Sequence, residues 1–289
     1  MELFARIAQS AAQKCWPVND SVLLSLARLN PMAKTIAVTN QKGGVGKTTT
    51  VVNLAAALAV ADMRVLAVDT DAQANCSSGL GIVKGSLKRS IYDALVQAEP
   101  LDSVIVDTEL DNLKLVPADK GLTGATIEML DIPEREFILK RLLAPVLGRF
   151  DFVLIDSPPS LNILTLNGLV AADSVLVPIQ CEYFALEGLT DLFDTLARVR
   201  RTLNPELSIQ GILLTMFDER TNLSLQVRED LINHFAGQVL ETIIPRNVRL
   251  AEAPSYGKPI LLYDIRSKGA ESYIRLAKEI LNHEKKGIG

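Results

Sequence analysis

The sequence predicts an α/β fold: a doubly wound, mostly parallel sheet with helices on both faces. From residue 34 onward, short apolar runs rich in Val, Ile and Leu alternate with longer helical patterns, as in parallel sheets with crossover helices. A glycine-rich loop joins the first predicted strand to the first predicted helix, and aspartates follow two later strands. The sequence has no internal repeat and no long linker that would require a second domain.

The individual elements follow from the same patterns. Runs that are apolar throughout are typical of strands buried on both faces of a sheet. Strands are predicted at residues 35–40, 65–69, 113–116, 151–156, 174–179, 209–216 and 240–244. Helices are predicted near residues 47–61, 134–147, 184–203, 222–236 and 269–283.

Residues 1–33 differ in character from the segment that follows. Met32 directly precedes the first strand, as an initiator methionine would, so residues 1–33 are interpreted as an N-terminal extension with the true start near Met32. The alternative is a short helix, with Leu3, Ile7 and Ala11 on one face, that docks on the body or on a partner. Residues 34–289 are predicted to form a single domain.

Composition excludes several classes of protein. The three cysteines form no CxxC pair and no metal-ligand cluster with the two histidines, so neither a disulfide framework nor a zinc site is expected. No apolar run is long enough to cross a bilayer, and the first residues do not have the layout of a secretory signal. We therefore expect a cytoplasmic protein.

Charge is distributed unevenly along a chain whose formal net charge is -4. Residues 1–195 carry 16 basic and 23 acidic side chains, whereas residues 196–289 carry 14 basic and 11 acidic ones. This balance does not fit a protein that coats nucleic acid with its whole surface. Any contact with DNA is expected to be local and to involve the later part of the chain.

A phosphate-binding loop is predicted immediately after the first strand. Glycines let the backbone approach phosphate oxygens closely, and the N–H groups at the start of a helix favour an anion. Lys47 would place a cation between the β- and γ-phosphates, and Thr48 would offer a hydroxyl to Mg²⁺. The predicted nucleotide-binding residues are Lys42, Gly43, Gly44, Val45, Gly46, Lys47, Thr48 and Thr49.

This loop departs from the usual GxxxxGK[ST] pattern in one place. Gln41 stands where the first glycine is expected, and an additional lysine, Lys42, follows it. A second lysine at the loop entrance is hard to explain within one subunit, because Lys47 already neutralises the same phosphates. Its presence is explained if Lys42 reaches a nucleotide that is held by a second copy of the chain.

Acidic residues lie at the ends of the second and fourth predicted strands. Asp69 and Asp71 end or follow the second strand and Asp156 ends the fourth, at the sheet edge where ligands of open α/β folds bind. We predict that Asp156 holds Mg²⁺, which prefers oxygen ligands, and that Asp71 orients the attacking water. The alternative is that these aspartates only cap loops.

These motifs resemble those of the ParA/MinD superfamily of deviant Walker ATPases. The resemblance rests on residues 42–49, with Asp71 and Asp156 at the next two motifs, and extends from about residue 34 to about residue 282. Four later stretches resemble the chromosomal ParA branch, which is also called Soj: Pro178–Gly188, Arg220–Leu223, Ile244–Leu250 and Glu252–Ser255.

The resemblance implies a P-loop NTPase fold and an ATPase that uses hydrolysis of ATP as a switch. Two subunits would form a homodimer around two ATP molecules with Mg²⁺, and Lys42 would contact the partner's phosphates. Together with Lys42 and Lys47, Asp71 would serve hydrolysis. Asp156 would be the Walker B carboxylate.

Further residues are assigned only by the resemblance. Pro245 and Asn247 match positions that line the adenine pocket, and Arg220 and Arg249 match arginines that contact DNA without sequence preference. Taken alone, exposed arginines are most often solvated surface groups. One departure from the family pattern, Ala72 in place of the usual proline, concerns only the rigidity of that loop.

Three functions compatible with this ATP site are distinguished by other features. The resemblance implies a nucleoid-associated partitioning ATPase for a chromosome or plasmid, whose hydrolysis is stimulated by a ParB-like centromere-binding protein. A MinD-like membrane-associated division regulator would need a basic amphipathic tail, but residues 277–289 are too polar, so no stable membrane association is expected. Among metabolic P-loop enzymes, an iron–sulfur reductase would need cysteine pairs, and an amide-forming ligase would need a small carboxylic acid as its substrate. We predict the partitioning ATPase.

Overall fold

A seven-stranded sheet forms the centre of the computed structural model, which describes residues 33–286. Its strands are β1 (Lys34–Val38), β2 (Val65–Asp69), β3 (Val106–Asp107), β4 (Leu113–Val116), β5 (Phe152–Asp156), β6 (Ser174–Gln180) and β7 (Ser208–Thr215). Their order is β3-β4-β2-β5-β1-β6-β7, and every neighbouring pair is parallel except β3 with β4. The predicted fold class is confirmed.

Helices cover both faces of this sheet. They are α1 (Lys47–Val60), α2 (Asn75–Gly79), α3 (Ile91–Val96), α4 (Leu122–Glu128), α5 (Ile138–Leu143), α6 (Ile163–Ala171), α7 (Ala185–Thr202), α8 (Asn222–His234), α9 (Val248–Glu252), α10 (Ile260–Tyr263) and α11 (Lys268–Lys286). Helices α1 and α11 pack on one face, and α3 to α8 pack on the other. Because both faces are covered, the central strands β2, β5, β1 and β6 are mostly apolar.

The predicted strand at 240–244 is wrong. This segment runs beside β7 but forms only isolated bridges, at Val239 and Pro245. The backbone N–H groups of Glu241 and Thr242 donate instead to the carboxylate of Glu279, at 2.7 and 2.9 Å. The Glu279 side chain on α11 therefore accepts hydrogen bonds from backbone N–H groups that would otherwise be available for strand pairing.

Several helices differ from their predicted bounds. The predicted helix 134–147 is reduced to a 3-10 turn, Arg135–Phe137, followed by α5, and Pro145 follows its end. The sequence patterns did not predict α2, α3, α4, α6, α9 or α10. The interpretation of residues 1–33 as an extension falls, apart from Ala33, outside the described residues.

The sheet topology brings the loops that carry the predicted site residues to one edge of the sheet. Strand β1 lies between β5 and β6, and the chain passes to opposite faces after β1 and β5. In open α/β sheets, ligands bind outside the carboxyl ends of the strands where such a change of direction leaves a crevice. The segments that follow β1, β2, β5 and β7 line a cleft of about 470 Å³ at this edge.

Candidate nucleotide-binding site

Glycine conformation shapes the loop between β1 and α1. Gly44 has φ +75° and Gly46 has φ +89°, values that residues with a side chain rarely adopt. Gly46 is the residue before α1 and offers no side chain to cap it. The first N–H groups of α1 therefore lack an intrahelical partner and form an anion-binding end that faces the cleft.

Two polar residues that the sequence analysis did not select hold this loop in place. The Asn40 Nδ2 donates to the Pro178 carbonyl at 2.8 Å, and the Lys42 N–H donates to the Asn40 Oδ1 at 2.9 Å. The Thr215 hydroxyl donates to the Val45 carbonyl at 2.8 Å. Asn40 lies just after an apolar strand, and Thr215 lies at the end of one. Only aspartates at such positions were considered in the sequence, so these two residues were missed.

Lys47 is the cation at the centre of the site. Its side chain is largely buried, and its Nζ donates to the Lys42 carbonyl at 3.0 Å. Burial lowers the pKa of Lys47, while the carboxylates of Asp156 and Asp71 raise it. The ammonium group is therefore held on a backbone oxygen of its own loop, from which a phosphate oxygen could displace it.

Asp69 serves the loop that follows β2. Its Oδ2 accepts from the Ser77 N–H at 2.8 Å and from the Ser77 hydroxyl at 2.7 Å, and its Oδ1 accepts from the Asp71 N–H at 3.1 Å. Burial raises the pKa of Asp69 to about 6, and these hydrogen bonds oppose the shift. For Asp69 the loop-capping alternative is therefore the better description.

Replacing Ser77 with Ala is expected to lower the free energy of unfolding by about 1 to 3 kcal/mol. The buried Ser77 hydroxyl donates to Asp69 and accepts the Ala118 N–H at 3.0 Å. Its removal leaves the Ala118 N–H without this partner and the Asp69 carboxylate with one hydrogen bond fewer. Urea denaturation measures the change. Ser86→Ala, which removes an exposed hydroxyl bonded to the Val83 carbonyl, is the control and should change stability by less than about 0.5 kcal/mol. Equal losses in the two variants would contradict this role.

Asp156 is buried beside Asp69 but lacks such partners. The two residues are paired in register on adjacent strands. Within residues 33–284, neither carboxylate oxygen of Asp156 has a hydrogen-bond partner of normal geometry. Burial, followed by the charge of Asp69, raises the pKa of Asp156 well above its usual value, and the nearby Thr48 hydroxyl only partly opposes the rise. The charge of Lys47 also lowers the pKa of Asp156, but burial outweighs it, so a further cation would stabilise the ionised carboxylate.

This donor set fits Mg²⁺. Magnesium usually binds through one or two carboxylates together with waters and substrate phosphates, and Asp156 with the neighbouring Thr48 hydroxyl supplies such hard oxygen ligands. The described part of the chain contains no group of three or more His, Cys, Asp or Glu that could hold a metal without a phosphate. The site therefore suits a metal that arrives with a nucleotide.

Asp71 stands at the mouth of the cleft and is half-buried. One oxygen accepts the Gln73 N–H at 2.9 Å, which fixes the carboxylate on its loop. Capping this turn engages only Oδ1, so the second oxygen remains available to a ligand in the cleft. Its charge also raises the pKa of Lys47, which places the two groups in the same electrostatic site.

Lys42 points away from this site. Its ammonium group forms a close ion pair with Glu182, in the segment that follows β6, and both side chains are nearly half exposed. Among the residues of the phosphate loop, Lys47 alone places its side-chain amine in the cleft. No sequence pattern indicated the pairing with Glu182, because 140 positions separate this residue from Lys42.

The far wall of the cleft contains both residues assigned to an adenine pocket. Pro245 and Asn247 line the cleft together with Met216 and the buried Tyr273. The Asn247 Oδ1 caps α9 by accepting the Leu250 N–H at 3.2 Å, so its Nδ2 remains available to donate. Thr48, Thr49, Gly44 and Gly46 line the opposite side, whereas Gly43 and Val45 do not line the cleft, and Val45 is buried.

Arg220 and Arg249 lie outside the cleft, on the surface. The Arg220 guanidinium forms a two-point contact with Asp218, at 2.8 and 2.7 Å, yet 85% of its side chain is exposed. Arg249 contacts Glu252 at 2.9 Å and Asp264 at 3.6 Å. Each arginine therefore has an internal counter-ion, and more than half of each side chain is exposed.

Comparison with known proteins identifies relatives of this chain. The family described as an AAA domain matches residues 33–209. The chromosome partitioning protein ParA of Myxococcus xanthus is 52% identical over 253 residues, 88% of this chain and 89% of that protein. The sporulation initiation inhibitor protein Soj of Bacillus subtilis is 54% identical over 249 residues, 86% of this chain and 98% of that protein.

The fold is also shared with a solved enzyme structure. Cobyrinic acid a,c-diamide synthase from Mycobacterium smegmatis, with bound ADP and magnesium, superposes with a TM-score of 0.78 at 39% identity, over 89% of this chain and 97% of that one. Its identity is lower than that of the two partitioning proteins, which match over nearly the same length. The chain belongs to the ParA/Soj family of chromosome-partitioning ATPases.

Proposed function

We propose that this ATPase is a switch in which ATP and Mg²⁺ assemble a homodimer that binds DNA. The observation that carries the proposal is that the side chains of the two loop lysines lie in different places. Lys47 occupies the cleft, whereas Lys42 lies outside it in an ion pair with Glu182, which it would exchange for a nucleotide bound elsewhere. A second copy of the chain, with its cleft facing this one, would supply that nucleotide.

In this proposal, the side chains of the cleft have separate roles in ATP hydrolysis. The helix N-terminus and Lys47 bind the phosphates, and the free oxygen of Asp71 orients the attacking water. Asp156 and Thr48 hold Mg²⁺, which supplies positive charge to the phosphates when bound. Lys42 of the partner adds a further cation only in the dimer, so turnover and assembly are linked.

The DNA surface is proposed to include Arg220 and Arg249. Both are exposed, and a carboxylate fixes the guanidinium of each. A fixed guanidinium loses less conformational entropy on binding a phosphate. A dimer presents each arginine twice, so DNA affinity should depend on the nucleotide state.

Replacing Arg220 and Arg249 together with Glu is expected to lower DNA affinity at least roughly 100-fold, because repulsion replaces up to four phosphate contacts per dimer. Fluorescence anisotropy with a labelled duplex, in ATP and Mg²⁺, measures the affinity. Dimerisation and ATP binding should persist, because neither residue lines the nucleotide cleft. DNA affinity equal to wild type in this double variant, or equal affinity of the wild type with ATP and ADP, would contradict the proposal.

A ParB-like centromere-binding protein is the proposed partner that stimulates hydrolysis, and the nucleoid is the proposed location. Support comes from membership of the partitioning family. Turnover measured with DNA alone and with DNA plus a ParB-like protein tests this step. Stimulation by DNA alone, with no further effect of the protein, would contradict it.

Two rival functions can be tested with the same protein. Among the described residues, no helix has the length and apolar character needed to span a membrane. The rival MinD-like function requires association with the membrane surface, which flotation with liposomes and ATP tests. Similarity to the diamide synthase raises an amide-forming reaction, in which a small carboxylic acid would drive ATP consumption. Stimulation of turnover by such an acid with an amide donor, and not by DNA, would favour that rival.

A further inference from the structure

Arg246 lies where the nucleotide cleft meets the surface that carries Arg220. It lines the cleft beside Pro245 and Asn247. It also lines an open groove of about 1160 Å³ that contains Arg220 and Asp218. Arg246 is therefore the arginine that borders both the candidate nucleotide site and the candidate DNA surface.

The guanidinium of Arg246 has no direct side-chain partner among the described residues. Within residues 33–284 it forms no ion pair and no side-chain hydrogen bond, and the residue is exposed. Arg220 and Arg249, by contrast, are both paired with carboxylates. A free guanidinium needs to break no internal contact before it binds a phosphate.

Asp218 lies within the electrostatic field of both arginines. The hydrogen bonds from Arg220 lower the pKa of Asp218 to about 2, and the charge of Arg246 adds to the effect. The positive charges of two guanidinium groups therefore act on one carboxylate at this end of the groove. The groove as a whole is lined by five basic and five acidic side chains, so its attraction for a phosphodiester is local to Arg220 and Arg246.

The backbone connects Arg220 and Arg246 to the cleft. The Phe217 N–H donates to the Ile244 carbonyl at 3.1 Å, and the Arg246 N–H donates to the Phe217 carbonyl at 3.0 Å. The segments that carry Arg220 and Arg246 are thereby joined, next to Pro245 in the cleft wall. A nucleotide that orders the cleft wall would also order both arginines.

We propose that Arg246 contacts a phosphate of the DNA backbone beside Arg220 and thereby connects the nucleotide cleft to the DNA surface. This inference rests on the proposed ATP-dependent DNA binding. It adds a cation that had no assigned role, and it explains how occupancy of the cleft is transmitted to a surface outside it.

The test compares Arg246→Gln with Arg201→Gln. Arg201 is also exposed and without an ion pair among the described residues, but it lies at the end of α7, at the opposite edge of the sheet. DNA affinity is measured by fluorescence anisotropy in ATP and Mg²⁺ over a series of NaCl concentrations. Each lost phosphate contact should reduce the slope of log K against log salt by roughly 0.9, hence by about 2 for a dimer. We expect that reduction, with at least a roughly 10-fold loss of affinity, for Arg246→Gln only.

Arg246→Lys and an ATP-binding assay distinguish the outcomes. Lysine keeps the charge, so most of the slope should return. Because Arg246 also lines the nucleotide cleft, the ATP affinity of each variant is measured first, and DNA binding is compared at saturating ATP. Arg201→Gln should bind ATP as wild type does. An unchanged slope in Arg246→Gln while Arg220→Gln lowers it would overturn the proposal. So would loss of ATP binding in both the Gln and Lys variants, since Arg246 would then act on the nucleotide. If wild type itself does not bind DNA with ATP, the proposed function fails instead.

Discussion

Asp156→Asn is expected to lower ATP hydrolysis at least roughly 100-fold and, at the same time, to stabilise the nucleotide-free protein. Activity falls because Asn removes the buried carboxylate that lies beside Thr48 and that is proposed to hold Mg²⁺. Stability rises because, within residues 33–284, the buried carboxylate has no hydrogen-bond partner of normal geometry, so its charge is costly in the folded state. The two effects have opposite signs, which a merely structural role would not produce.

The gain in stability should depend on pH. The pKa of Asp156 is raised in the folded state, so its contribution to stability is complete below the unfolded value of about 3.9 and is lost as pH rises toward the folded pKa. The loss is at most about 1.4 kcal/mol per pH unit for one group. Wild type should therefore weaken relative to Asp156→Asn as pH rises above about 4.

Chemical denaturation of both proteins between pH 4 and 8, without nucleotide, measures this difference. Asp119→Asn is the matched control, because Asp119 is exposed and only accepts the Gly121 N–H at 2.8 Å, which Asn can also do. ATP with Mg²⁺ should raise the unfolding midpoint of wild type but not that of Asp156→Asn. An Asn variant that is no more stable than wild type at pH 8 would show that Asp156 is not an unpaired acid.

Lys42→Ala is expected to remain monomeric in ATP and Mg²⁺ and to lose hydrolysis at least roughly 100-fold. ATP binding itself should change less than about threefold, because Lys47 and the N-terminus of α1 remain in place. Sedimentation velocity measures assembly, and fluorescence of a labelled ATP analogue measures binding.

Lys120→Ala is the control for loss of a surface lysine. Lys120 is exposed and lies outside the cleft, so this variant should dimerise and hydrolyse ATP as wild type does. If Lys42→Ala bound ATP normally and also dimerised normally, Lys42 would not act on a partner's nucleotide, and its ion pair with Glu182 would be its main role.

The parallel sheet and the phosphate loop could be predicted because their signals are local. Buried strands such as β5 and β6 are uninterrupted apolar runs, and the loop residues follow one another in sequence. Helix α6 was missed because it is apolar on all sides and shows no helical period, although Asn162 caps it by accepting from Leu164 and Thr165. The prediction of a strand at 240–244 was wrong because the carboxylate of Glu279, on a distant helix, accepts hydrogen bonds from two backbone N–H groups of this segment.

The candidate site shows the same division between local and distant signals. Asp69 and Asp156 look alike in sequence, each at the end of an apolar strand, and only the structure reveals that Ser77 satisfies one and not the other. Ion pairs such as that of Lys42 with Glu182 connect segments far apart in the chain, so no spacing rule could have indicated them.

Sedimentation velocity of Asp71→Ala with a labelled DNA duplex tests the ATP switch most directly, because this variant should bind ATP without hydrolysing it. With ATP and Mg²⁺ the protein is predicted to sediment as a dimer and to carry DNA with it. With ADP it is predicted to sediment as a monomer, leaving the DNA free. Equal DNA binding in ATP and ADP, or DNA binding by a monomer, would contradict a switch that a second subunit completes.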